Sequence, residues 1–190
     1  SEKGGNVEQV ASSLDDVSEC LAKIGVSLDK FRSITRLPRR ELCPCELQTV
    51  WLDVGSLLAG RMETLNIRFS VSGDAVAKAF GDYLRQAFLN LLLNSIDAFR
   101  ERKIRRDRAI RIFINAGSTK SGTIVTHYVD NAGGVDFRAL RPPLRGNDSS
   151  VPDIFSPGVT SKESGSGYGL FLVRKIISDH GGSIDLVENK

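Results

Sequence analysis

One segment restricts the fold of this chain more than any other. Across residues 81–102 apolar side chains recur at helical spacing, interrupted by Asn90 and Asn94. A spacing of four places both amides on one face of a helix, one turn apart. An amide buried without a partner costs on the order of 1–3 kcal/mol, so something polar must meet them. Bonds to neighbouring backbone would do this, and so would a polar ligand. The same two residues break the richest apolar run, which falls short of the roughly 18 uninterrupted residues of a membrane helix.

The remaining pattern is mixed. It predicts a helix over 47–65, a strand over 66–71 ended by Ser72-Gly73-Asp74, and the long helix over 81–102. Two strands follow at 109–115 and 123–129, separated by a Gly/Ser-rich turn over 117–122. A loop rich in Gly, Pro, Ser and Asp covers 130–167, then a helix over 168–180, Gly181-Gly182, and a strand over 183–187. Strands interleaved with helices, some joined as hairpins, imply an α+β two-layer sandwich with helices on one face of one mixed sheet. With 190 residues, 41% hydrophobic and 26% charged, the chain suits one domain plus an appendage, and a disordered or collagen-like protein is excluded. A chain of this size buries roughly 70% of its unfolded surface and needs no disulfide or metal staple.

The appendage is the N-terminal segment. Val7, Val10, Leu14, Val17, Leu21, Ile24, Leu28 and Phe31 alternate at spacings of three and four without exception. A 3.5-residue period held this long is the seam of a coiled coil or helical bundle. An amphipathic helix packed on its own domain would show a wider, 3.6-residue stripe. The helix is expected to end before Leu37-Pro38, giving a helical unit over 1–37, a linker over 38–46 with two prolines, and a second unit over 47–190.

Charge and cysteine content narrow the class further. The net charge is only +3, and 100–111 holds seven basic residues against two acidic ones with no aromatic residue interleaved. That stretch reads as a solvated helix end and loop, not a nucleic-acid surface. Cys20, Cys43 and Cys45 make no disulfide framework, fit a reducing compartment, and give only a weak zinc signal. The sequence opens Ser1-Glu2-Lys3-Gly4-Gly5-Asn6, with neither an initiator Met nor a signal-peptide core, which reads as an excised fragment of a cytoplasmic portion. Any membrane attachment is then expected in parts of the parent outside these residues.

Three clusters carry chemistry. Residues 84–98 hold the amide pair. Val129-Asp130-Asn131-Ala132-Gly133-Gly134-Val135 follows a strand, and small residues there let a flat ligand reach backbone while Asp130 accepts a hydrogen bond; turns of the Asn-Gly type look similar. Gly165-Ser166-Gly167-Tyr168-Gly169-Leu170 opens the last helix, whose free N–H groups and dipole attract anions. This is neither G-x-G-x-x-G after a strand nor G-x-x-x-x-G-K-[ST], so dinucleotide and P-loop readings fail.

In this order the clusters resemble the catalytic domain of a bacterial sensor histidine kinase, within the GHKL ATPase/kinase superfamily. Residues 84–98 resemble its N box, 130–134 its first glycine box and 165–170 its second. Asp153-Ile154-Phe155-Ser156-Pro157-Gly158-Val159-Thr160-Ser161-Lys162 resembles the F box of its ATP lid. The similarity covers about residues 46–188 and implies a Bergerat-type sandwich. It also implies ATP and Mg²⁺ as ligands. Asn94 would bind the metal, with Asn90 assisting at the phosphates. Asp130 would take the adenine amino group, with Ala132 and Gly134 letting the base lie on backbone. Gly165, Ser166, Gly167, Tyr168, Gly169 and Leu170 would wrap the phosphates. Phe155 would anchor the lid that contains Thr160 and Lys162, and Asp97 and Ala98 would complete the nucleotide set.

The departures are specific. Ala132 replaces the middle glycine of Asp-x-Gly-x-Gly, and Asp97 stands where many relatives have a basic residue. The sequence stops at Lys190, before the final strand the family usually adds. His127 and His180 lack the helical His-Glu/Asp setting of a phosphoacceptor, so structural roles are expected for both. Residues 1–37 resemble the second helix of a dimerisation hairpin whose acceptor-bearing helix lies outside this sequence. The implied activity is transfer of the ATP γ-phosphate to that histidine, with a response regulator as the downstream partner. The alternatives are a GHKL ATPase and a non-catalytic ATP-dependent switch. Water-splitting members and the superfamily's serine kinases place a Glu four residues before the metal-binding Asn, as general base; here that residue is Asn90, and an amide cannot take a proton.

A continuous seam must be buried against something, so residues 7–31 are expected to form a homodimer. Replacing Leu14 and Leu21 with Lys should convert the dimer to monomer in analytical sedimentation. A protein already monomeric at high concentration would mean that the seam packs within one chain.

Overall fold

The computed structural model describes residues 42–102, 107–116, 122–140, 153–162 and 165–189. The chain divides into two units, Ser1–Arg40 and Glu41–Lys190. The heptad helix expected over 1–37 lies outside the described residues, as does the turn over 117–121.

The second unit runs β1 (Cys43–Glu46), α1 (Leu47–Leu57), α2 (Ala59–Thr64), β2 (Arg68–Ser72), β3 (Val76–Ala79), α3 (Gly81–Glu101), β4 (Ala109–Ala116), β5 (Ile124–Asp130) and α4 (Gly169–Asp179). Strand β4 is central in a mixed sheet of order β2-β4-β5, parallel to β2 and antiparallel to β5. Helices and this mixed sheet make the α+β class expected from the sequence. The expectation of a single sheet needs correction, because β1 and β3 form a separate two-stranded antiparallel ladder. Both of its strands were hidden. Pro44 made 38–46 read as linker, yet proline is tolerated on a strand with only one partner, where it faces Lys78. Strand β3 is four residues long and half alanine, a weak β signal.

Alternation along β4 explains the layering. Ile110, Ile112 and Ile114 are buried, while Arg111, Phe113 and Asn115 face outward. Against the buried face lies α3 with Leu84, Ala87, Phe88, Leu92, Ser95, Ile96 and Phe99, a stripe at spacings of three and four. Trp51 of α1 stacks on Phe88 with ring centroids 3.8 Å apart. Leu172, Val173 and Ile176 of α4 complete the core.

Two further expectations are revised. The helix expected over 47–65 breaks at Leu58, whose N–H bonds back to the Gly55 carbonyl, and Val54 and Met62 bury on either side of the break. No strand forms over 183–187; the amide of Asn189 instead bonds to the backbone N–H and carbonyl of Val135. Among the described residues no helix is long and apolar enough to cross a membrane.

His180 has the structural role expected of it. Its Nε2 accepts the Phe80 N–H at 2.9 Å and its Nδ1 donates to the Ile176 carbonyl at 2.7 Å, which joins the end of α4 to the start of α3. Both bonds require the neutral ring with its proton on Nδ1.

Leu92 is fully buried where α3 meets the sheet and neighbouring helices. Leu92→Ala should lower the unfolding free energy by about 2–5 kcal/mol through lost burial and the cavity left behind. Urea unfolding, with the slope unchanged, is the measurement that checks it.

Candidate functional site

Helix α3 presents two faces. Its apolar stripe fills the core, and the adjacent line Asn90, Asn94 and Asp97 is half-buried toward α4 and the turn over 153–162. The Asn90 amide N–H donates to the Gln86 carbonyl at 3.0 Å, so one of its groups is satisfied by neighbouring backbone. Among the described residues nothing bonds its carbonyl oxygen, which faces Gly169. Gly169, the first residue of α4, packs against both amides: a Cβ there would lie 3.7 Å from Asn90 Oδ1 and 3.9 Å from Asn94 Nδ2. Two amides and a helix N-terminus therefore converge, a setting that suits an oxygen-rich anion.

The loop before α4 is locked against the turn over 153–162. Gly158 N–H donates to the Gly167 carbonyl at 3.0 Å. Gly167 has φ +69, and a Cβ on it would sit 2.4 Å from the Gly158 backbone, so no other residue fits. Thr160 Oγ1 accepts the Lys162 N–H at 3.1 Å, and Gly165 N–H reaches the Lys162 carbonyl at 3.3 Å. Lys162 Nζ then bonds Asp97 Oδ2 at 2.6 Å, returning the loop to α3. Arg100 holds the other Asp97 oxygen at 3.2 Å. Ser166 is exposed in this loop, while Tyr168 and Leu170 are half-buried at the start of α4.

Phe155 packs against α4. It is buried beneath the Arg174 guanidinium, 4.6 Å from the ring centroid. Arg174 also grips Asp153 with both terminal nitrogens, and Asp153 Oδ1 accepts the Phe155 N–H at 3.0 Å. The Arg174 hydrogen bond holds the Asp153 carboxyl below the usual carboxylate range, aided by the Phe155 N–H and opposed by desolvation.

Asp130 ends β5 and is fixed at both oxygens. Oδ1 accepts the Ala132 N–H at 2.9 Å and Oδ2 accepts the Ser95 hydroxyl at 2.5 Å. Ser95 is in turn 2.6 Å from the Tyr128 hydroxyl, which also reaches the Leu91 carbonyl at 3.1 Å. Burial pushes the Tyr128 phenol far above its ordinary pKa; the Ser95 bond opposes this and the Asp130 charge adds to it. Beyond Asp130 the chain turns through Gly133 and Gly134, at φ +91 and +67. Arg102, just past α3, holds that turn by donating to the Ala132 and Gly133 carbonyls.

The structure thus joins Asn90, Asn94 and Gly169, ties Asp97 to Lys162 and Thr160 to Lys162, and connects Asp130 to α3. Sequence reasoning missed Ser95, Tyr128, Arg102 and Arg174. Tyr128 had a readable signal, since it lies two residues before Asp130 on the same strand face. Arg102 was concealed in the basic stretch assigned to solvent; Arg108 of that stretch likewise donates to the Leu65 carbonyl, at 2.5 Å.

Comparison with known proteins gives a consistent result. A family model described as histidine kinase-, DNA gyrase B- and HSP90-like ATPase matches residues 81–190. The C4-dicarboxylate transport sensor protein DctB of Rhizobium meliloti (strain 1021) is 26% identical over 190 residues, 96% of this chain and 27% of that protein. The sensory histidine kinase/phosphatase NtrB of Rhizobium leguminosarum bv. phaseoli is 36% identical over 153 residues, 75% of this chain and 37% of that one. The chain therefore spans between about a quarter and two fifths of these relatives. In fold, a mycobacterial sensor histidine kinase, MprB, is similar at TM-score 0.53 and 19% identity, covering 73% of this chain and 80% of that one. A nucleotide-free catalytic domain of the histidine kinase ThkA is similar at TM-score 0.53 and 24% identity, covering 73% and 82%.

The Asp153 carboxyl titrates lower folded than unfolded, so its contribution to stability is present above the unfolded carboxylate pKa and is lost as pH falls through the folded value. Asp153→Asn should accordingly lower the melting temperature at neutral pH, and the gap from the parent protein should close on acidification. Thermal melts of both proteins across the acid range check this; a gap independent of pH would contradict it.

Proposed function

The chain belongs to the histidine kinase-, DNA gyrase B- and HSP90-like ATPase family, and from that premise we propose that it is the ATP-binding catalytic domain of a sensor histidine kinase. The observation that carries this reading is the convergence of Asn90, Asn94 and the N-terminus of α4 at Gly169. The triphosphate binds there, with the base at Asp130 against the Ala132–Gly134 backbone. Mg²⁺ fits the same place, because it takes hard oxygen ligands and the Asn94 amide, with Asn90 one turn away, supplies them. Bound there, the ion neutralises charge on the phosphates. Lys162, held by Asp97, brings a cation close to this line of α3.

The chemistry follows from what the site lacks. Phosphoryl transfer depends mainly on positioning and charge stabilisation. A water must lose a proton to attack phosphorus, and Asn90 cannot receive it. A neutral imidazole attacks with a lone pair already free. The γ-phosphorus bond to the bridging oxygen breaks, a phosphorus–nitrogen bond forms, and ADP leaves. The acceptor is a histidine on a dimerisation helix outside this chain, with residues 1–37 as the companion helix, 38–42 as the linker ahead of β1, and a homodimer and a response regulator as partners. The domain works in the cytoplasm, and any membrane attachment belongs to other parts of the parent.

In calorimetric titration, Asn94→Ala should remove most of the Mg-ATP affinity. Asp130→Ala should weaken ATP and ADP alike, by about ten-fold or more for a lost bond to a charged acceptor. Unchanged affinity in both variants would refute the site.

A further inference from the structure

Asp130 is reached from α3 through a part-buried chain of hydroxyls, and the carboxylate at its end sets the direction of the bonds. Ser95 has one proton, and the carboxylate oxygen 2.5 Å away can only accept it. Ser95 Oγ must then be the acceptor in its 2.6 Å contact with Tyr128. The Tyr128 proton is shared between Ser95 and the Leu91 carbonyl at 3.1 Å. Since burial raises its pKa, the phenol stays a donor throughout the physiological range. The order is fixed: Tyr128 donates to Ser95, and Ser95 donates to Asp130. Each bond polarises the next.

This chain leaves Asp130 with a defined remainder. An ionised carboxylate offers about four acceptor positions and no donor. The Ser95 hydroxyl and the Ala132 N–H occupy one on each oxygen, so an acceptor position is left on each and the remainder can only accept. Ser95 is 4% exposed, and Tyr128 lies 5.7 Å from the Trp51 ring, so neither can swing away. Resting on the nucleotide reading above, we propose that Ser95 and Tyr128 are positioning residues that set base specificity: they hold Asp130 to accept an N–H from a 6-amino purine and to repel a 6-keto purine. Neither residue touches the base. The same helix turn carries Asn94, so a single rigid element places both the metal-binding amide and the base reader.

The test is the ratio of dissociation constants for inosine triphosphate and ATP, each with Mg²⁺, measured by calorimetry on the 190-residue chain. The parent protein should prefer ATP. Ser95→Ala should cut that preference about ten-fold, as expected when a bond to a charged group is lost. Tyr128→Phe should cut it in the same direction by less, and Ser95→Thr, which keeps the hydroxyl, should restore it. A purely structural role would weaken both nucleotides equally and leave the ratio alone. Emission from Trp51, the one tryptophan in the sequence, confirms that each variant keeps its core. An unchanged ratio in both Ser95→Ala and Tyr128→Phe overturns the proposal while leaving the ATP site intact. An unchanged ratio in Asp130→Asn would instead remove the base reading on which it stands.

Discussion

Ser95 is the one buried polar side chain among the described residues, and the site's geometry depends on satisfying it. It sits in the apolar stripe of α3, between Leu92 and Phe99, where a hydroxyl without a partner would cost on the order of 1–3 kcal/mol. The partners that satisfy it, Tyr128 and Asp130, both point from β5 toward α3. Sliding β5 by one residue would turn both side chains to the outer face and leave Ser95 orphaned. Strand register and helix placement are therefore coupled at one atom. Hydrophobic burial brings α3 onto the sheet, and this hydroxyl selects where along the sheet it rests.

From that placement the rest of the site follows. With Ser95 turned to the sheet, Asn94 is rotated by one residue toward α4, and Asn90 lies one turn before it. The bond from His180 to the Phe80 N–H brings the far end of α4 to the start of α3. Gly169, at the opposite end of α4, then falls beside the amides. Arg102 secures the turn after Asp130 from the end of the same helix. One helix thus supports the Asn90–Asn94–Gly169 cluster and the turn after Asp130 together.

Features with a period or an interruption in a period were legible in the sequence. The α3 stripe, its two amides and the glycines before α4 all stood out because each departs from an expected local pattern. Strands β1 and β3 did not, since four residues show almost no alternation and Pro44 argues against a strand. The break at Leu58 was invisible because the apolar spacing continues through it into Met62. Ser95 was unreadable for a different reason. A lone serine in a helix carries no signal until the strand opposite is known, and only the fold supplies Tyr128 and Asp130. Arg174 was equally silent: the sequence gives it a place on α4, and its carboxylate partner lies 21 residues away.

The two halves of the site differ in how firmly they are held. The bonds among Tyr128, Ser95 and Asp130 are part-buried and centre on Ser95, itself only 4% exposed, where a lower local dielectric strengthens each contact and makes its loss expensive. The other ties described above are ion pairs between more exposed side chains. Lys162 and Asp97 are 28% and 27% exposed, and Arg174 and Asp153 are 38% and 46% exposed. Such pairs contribute about 0–1 kcal/mol each. Asp97 and Lys162 form one such pair, at 2.6 Å between partly exposed side chains. Releasing Lys162 disturbs neither the Gly158–Gly167 bond nor the hydroxyl chain, because neither shares an atom with it. The Lys162–Asp97 pair and the Tyr128–Ser95–Asp130 chain are therefore separate ties anchored on one helix.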